Sequence, residues 1–183
     1  MRSIDLVLGA GLALCLIAPR AASADVLDVA TNGFAVRETV HVKAAPDAVY
    51  DALLHPAPWW NSQHTFSGNA ANLTLDARAG GCLCESLPHG GSALHLTVVD
   101  IEPGSTVRFR GPMGPFQGQG VDSALTFTLT AEPGGTLLTL DNAVGGYMKG
   151  GFDKWSAAAD HMLGDLASRL AKYSENRKGA VTP

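Results

Sequence analysis

The sequence predicts an α+β fold in which a curved antiparallel sheet of about seven strands wraps a long C-terminal helix, with one or two short helices after the first strand. Three observations carry this. Apolar residues recur with period two in residues 34–42 and again, almost without a break, from Asn72 to Val144, as half-buried strands require. The period-two runs are separated by short turn sequences, AGG, PHGG, EPGS and EPGG, which join neighbouring strands antiparallel. From Phe152 to Tyr173 the period changes to three and four, the apolar stripe of one amphipathic helix.

The elements follow in order. Residues 1–24 read as a secretory signal peptide: Arg2 precedes an apolar stretch from Leu6 to Ala18, and Ala22-Ser23-Ala24 offers small residues for cleavage after Ala24. The stretch is shorter than the about 20 residues that span a bilayer, so no stable membrane anchor is expected after cleavage, and the product is secreted or periplasmic. Residues 25–33 are then an N-terminal extension, 34–174 one domain, and 175–183 a flexible tail. FAVRETVHV is the first strand. In AAPDAVYDALL, Pro46 stands at a helix start and Val49, Leu53 and Leu54 follow at helical spacing, until the prolines of HPAPWW end it. Six further strands are read in LTLDAR, CLCESL, ALHLTVVDI, TVRFRG, SALTFTLTA and TLLTLDNAV. The helical stripe comprises Phe152, Trp155, Ala159, Met162, Leu166, Leu170 and Tyr173, and Asp160 and His161 flank it as solvated or hydrogen-bonded residues.

Composition narrows the function. A net charge of −4 with no basic run argues against a nucleic-acid partner. The common hydrolase, metalloprotease, nucleotide-binding and Cys-x-x-Cys signatures are absent, no cofactor is expected, and the oligomeric state is left open.

RAGGCLCESLPHGG, residues 78–91, concentrates the reactive side chains. Strand alternation puts Leu83, Glu85 and Leu87 on one face and Cys82, Cys84 and Ser86 on the other. With Pro88–Gly91 as a four-residue turn, Leu83 pairs with Leu96, Cys84 with His95 and Glu85 with Leu94. The face holding Leu83, Leu87, Leu94, Leu96 and Val98 is the more apolar, so Glu85 points inward and His95 outward beside Cys84. A carboxylate among leucines either finds a donor or cation, such as Arg78 or Arg110, or shifts its pKa upward. Glu85 is therefore the candidate general acid/base. For the cysteines, plain packing and a Cys82–Cys84 disulfide both stay open, the latter against an expected Cα separation of about 6.5–7 Å along an extended strand. Metal binding with His95 is set aside, because Cys-x-Cys lacks the usual spacing of zinc pairs. Trp59 and Trp60, adjacent in a loop, are not both easily buried, so either one lines a cavity entrance or the pair forms a hydrophobic plug closing the core; His64 nearby reads as solvated. Met113 and Phe116 sit in GPMGPFQGQG, a glycine-rich loop suited to a lid.

This order of elements, with KAAPDAVYDALLHPAPWW, ARAGGCLCE and GGFDKWSAAADHMLGDLASRLAKY, resembles the START-like or SRPBCC superfamily, the helix-grip fold, nearest its polyketide cyclase/dehydrase and heat-shock ATPase activator-homologue branches. The resemblance implies a cavity between sheet and long helix that binds a small hydrophobic or amphipathic molecule. Leu83, Glu85, Leu96, Phe109, Phe127, Trp155 and Met162 would line it, with Tyr147 or Asp141 as polar neighbours. The alternatives are a cyclase, dehydratase or isomerase using Glu85, and an interaction domain with a filled cavity.

Overall fold

The structure is a computed structural model and describes residues 23–177; the apolar stretch of the expected signal peptide lies outside them, as does the end of the tail. Eight antiparallel strands form one sheet: β1 (Ser23–Ala30), β2 (Gly33–Val42), β3 (Leu73–Leu75), β4 (Cys82–Ser86), β5 (Ser92–Glu102), β6 (Thr106–Arg110), β7 (Gly120–Glu132) and β8 (Gly135–Tyr147). Their order across the sheet is β1-β2-β8-β7-β6-β5-β4-β3. After β2 the chain crosses through α1 (Pro46–Leu53) to the far edge, then returns strand by strand until β8 pairs with β2. The closing helix α2 (Trp155–Asn176) lies on the concave face and packs most heavily on β2. No helix among the described residues is long and apolar enough to cross a membrane.

Two of these elements differ from the expectations. The segment read as an N-terminal extension is strand β1, paired with β2 from Ser23↔Thr39 to Ala30↔Gly33. Its residues from Asp25 onward are exposed on both faces, so it shows no alternation; Asn32-Gly33 at the hairpin was its one sequence signal. The helix runs on to Asn176, two residues into the predicted tail.

On the concave face β7 buries Val121, Leu125, Phe127 and Leu129, β8 buries Leu138, Leu140 and Val144, and β2 buries Phe34, Val36 and Val42. Helix α2 adds Ala159, Leu163, Leu166, Ala167, Leu170 and Ala171, whose small members let it lie close to the strands. The inward rows are interrupted by buried polar residues, Glu38, Glu85, His95, Ser123 and Asn142, and each interruption calls for a partner. The convex face carries exposed ion pairs, Arg37–Asp141, Arg108–Asp100 and Arg110–Asp122, which contribute little to stability.

The β3–β4 connection fixes the level at which β4 enters the sheet. Gly80 turns the chain at φ +82°, and its N–H donates to the Val98 carbonyl. A Cβ on Gly81 would be driven into the Asp76 carbonyl oxygen, whereas Gly134, at φ +87° in the β7–β8 hairpin, faces open space. Gly81→Ala is therefore expected to lose at least about 2 kcal/mol in chemical denaturation, through displaced backbone. Gly134→Ala should lose only about 1 kcal/mol, the strain of a left-handed alanine. Equal losses would show that the Gly81 contact relaxes freely.

Candidate functional site

One irregularity in the sheet builds the site. Between β4 and β5 the register runs Leu83↔Leu96 and then Cys84↔Leu94, so His95 is an extra residue on β5. A bulge of this kind reverses which side chains face inward beyond it. The pairings expected for Cys84 and Glu85 fail there: Glu85 faces Ala93, Leu94 turns outward and is 53 % exposed, and His95 turns inward and is buried. His95 thus lies beside Glu85 rather than beside Cys84.

The Glu85 carboxylate is fully buried. It accepts hydrogen bonds from His95 Nε2 at 2.7 Å, from the backbone N–H of Phe66 at 2.9 Å and from that of Ser67 at 2.6 Å. Burial alone would raise its pKa, but the hydrogen bonds from Ser67, Phe66 and His95 outweigh it and bring it down to about 2. Neither arginine considered for it is involved: Arg78 pairs with Asp76, and Arg110 with Asp122. An ionised carboxylate only accepts, so Nε2 of His95 is the donor of this hydrogen bond. Glu85 thus stands as the acceptor that holds His95 and the Phe66–Ser67 backbone in place.

On the outer face Cys82 and Cys84 form a disulfide. Their Cα atoms are 5.4 Å apart, closer than an extended strand places residues i and i+2 and within relaxed bridge geometry. The strand shortens at the level where β5 carries its extra residue. Among the described residues no group of three or more His, Cys, Asp or Glu side chains is placed to hold a metal ion.

Between the sheet, the first half of α2 and two loops lies a cavity of about 410 Å³. Of the residues singled out from the sequence, Trp60, Met113, Phe116, Trp155 and Met162 line it. His95, Ser123, Asn142, His64, Thr65 and Phe66 line it as well: the bulge brings His95 there, an irregular loop brings His64, Thr65 and Phe66, and Ser123 and Asn142 lie on the regular inward rows of β7 and β8. Trp59, Leu83, Leu96, Phe109 and Phe127 do not; they close the adjoining core around a remnant of about 10 Å³. Glu85 stands behind His95, and Tyr147 is 74 % exposed on the surface.

Both tryptophans are buried, and each indole N–H finds a carbonyl: Trp59 donates to Ala52 and Trp60 to His64. The loop beyond them is tied down twice. Asn61 donates to Asp165 of α2 at 2.7 Å, and Phe66 and Ser67 donate to Glu85. That places His64, exposed as expected, on the rim, and packs Phe66 against His95 with ring centroids 5.2 Å apart. On the opposite side Phe116 packs against Trp155 at 5.1 Å, anchoring the glycine-rich loop to the start of α2.

The family's sequence profile, "Polyketide cyclase / dehydrase and lipid transport", matches residues 33–175, most of the chain. The chain belongs to that family. Nothing among curated proteins matches it. Among solved structures, a Mesorhizobium loti protein is 18 % identical with a TM-score of 0.56, covering 79 % of this chain and 98 % of its own. DynU16, from the dynemicin biosynthetic locus, is 24 % identical with a TM-score of 0.55 and covers 79 % of this chain, which spans 48 % of DynU16. Aha1 from Colwellia psychrerythraea is 17 % identical with a TM-score of 0.51, covering 79 % and 98 %. At such identities these likenesses show the fold, the helix grip that the family shares, and no activity.

A second buried acid has the opposite environment. Glu38 of β2 is 2 % exposed beneath α2, its Oε1 has no hydrogen-bond partner among the described residues, and neither has Oδ1 of Asp160 nearby. Burial, then the charges of Asp160 and Asp25, raise its pKa to about 7. The two acids act on stability in opposite directions. Glu85, depressed in the fold, contributes fully above the unfolded value near 4.5, and the contribution is lost as pH falls towards 2. Glu38, raised in the fold, costs nothing below 4.5 and accumulates its penalty as pH rises through 7. These groups place a stability maximum near pH 4.5. Glu38→Gln is expected to raise stability at pH 8 by about 1–3 kcal/mol and to flatten the alkaline limb; an unchanged slope in urea titrations between pH 5 and 8 would contradict it.

Proposed function

We propose that this family member is an exported protein that binds a small hydrophobic or amphipathic molecule in the cavity between the sheet and α2. The observation that carries the reading is the cavity itself, about 410 Å³, walled by Trp60, Phe66, Met113, Phe116, Trp155 and Met162 with a few uncharged polar groups on its floor. That size and composition suit a small-molecule site. Export is supported by the secretory character of residues 1–24 and by the Cys82–Cys84 disulfide, which suits an oxidising compartment. Native mass spectrometry of the mature protein should find a co-purified small molecule, or the emptied protein should enhance the fluorescence of a hydrophobic dye and lose that response in Trp155→Ala. An empty protein that leaves the dye unaffected would refute the reading.

A second reading, an enzyme of cyclase, dehydratase or isomerase type, is favoured by the Glu85–His95 pair. A buried carboxylate that fixes the imidazole tautomer is the usual support of a histidine general base. The base would be His95, with Nδ1 towards the cavity. On a substrate found through binding, His95→Asn is expected to abolish turnover while changing ligand affinity less than about threefold. Retained turnover would exclude His95 as the base, and no turnover of the parent protein on such a ligand would overturn the enzyme reading.

A further inference from the structure

The polar floor of the cavity leaves one buried amide open. Asn142 of β8 is 4 % exposed, and its Oδ1 is buried without a hydrogen-bond partner. No described residue bonds its side-chain amide, so a rotation that exchanges oxygen and nitrogen does not give it a partner. The neighbouring hydroxyls have already committed their protons: Ser123 Oγ donates to the Gly111 carbonyl at 2.6 Å and Thr65 Oγ1 to that of Ser62 at 2.7 Å. Trp60 spends its indole N–H on His64. His95 Nε2 donates its hydrogen bond to the Glu85 carboxylate at 2.7 Å.

What remains towards the floor is the unpartnered amide of Asn142, the nearby Ser123, Thr65 and Trp60 donors being already spent. No Lys, Arg, Asp or Glu lines the cavity among the described residues. The two lining histidines are accounted for, His95 against Glu85 and His64 on the exposed rim. An anionic group entering here would leave water and find no Lys or Arg to pair with, with the Glu85 carboxylate behind the wall. A hydroxyl would donate to this wall and complete the amide that the fold leaves open.

Resting on the reading that the cavity binds a ligand, we infer that Asn142 determines its specificity: the site takes an uncharged ligand bearing an alcohol or phenol hydroxyl and rejects the carboxylate of the same skeleton.

Three probes of one skeleton test this with the intact mature protein at pH 7.5: 2-naphthol, naphthalene and 2-naphthoate, compared by ligand-observed NMR and calorimetry. The expected order is naphthol tightest, naphthalene next and naphthoate weakest, with at least about tenfold between the first and last. Asn142→Leu should erase the preference of naphthol over naphthalene while naphthalene still binds, which shows that the cavity has survived the change. Naphthoate binding as tightly as naphthol, or an unaltered naphthol preference in Asn142→Leu, would overturn the inference and leave the cavity reading standing. Binding of none of the three would overturn both.

Discussion

The buried hydrogen bond between Glu85 and His95, 2.7 Å long, is the contact on which the arrangement of the cavity depends. One carboxylate joins three parts of the chain: β4, which carries it; β5, which supplies the imidazole; and the loop whose Phe66 and Ser67 amides close over it. Without the carboxylate those two N–H groups and Nε2 would be buried donors with nothing to receive them, each costing about 1–3 kcal/mol. With it, the loop is held against the sheet edge and its other end is tied to α2 through Asn61 and Asp165. Trp60 and Phe66 then stand on one side of the cavity because their loop has little freedom to move.

The same sheet face tolerates a second buried glutamate on different terms. Glu85 is ionised because donors converge on it; Glu38 is driven towards the neutral form because α2 covers it and Asp160 offers only like charge. The difference lies in what each strand faces. At the β3 edge the sheet is covered by loop backbone, which has N–H groups to give. At β2 it is covered by a helix whose backbone donors are spent internally, leaving only side chains as partners.

How far this could be read from the sequence varies with the kind of regularity involved. Alternation identified the strands from β2 to β8 and the inward direction of Glu85, because the pleat repeats every two residues. A bulge breaks that count by one, and nothing in ALHLTV marks it, so His95 and Leu94 exchanged faces. Proximity of the cysteines was obscured likewise: ideal strand geometry holds residues i and i+2 too far apart, and only the local shortening of β4 brings them to 5.4 Å. Periodicity also reports a side chain's face without its position along the sheet. Leu83, Leu96, Phe109 and Phe127 share the concave face with the cavity walls but pack in the adjoining core, where Trp59 fills the space. The exposed edge strand β1 has no buried face, so it left no pattern to read.

Polar side chains on a concave face lower stability unless something answers them, and a domain stable by only about 5–15 kcal/mol holds few that go unanswered. Glu85, His95 and Ser123 have partners in the fold, and Glu38 can take a proton. Asn142 has neither recourse: an amide does not titrate in the ordinary range, and its oxygen sits on the cavity floor without a donor. A leucine there would continue the row of Leu138 and Leu140 along β8 at no polar cost. The amide is thus uncompensated by the protein alone, at the place where a ligand in the cavity would be able to complete it.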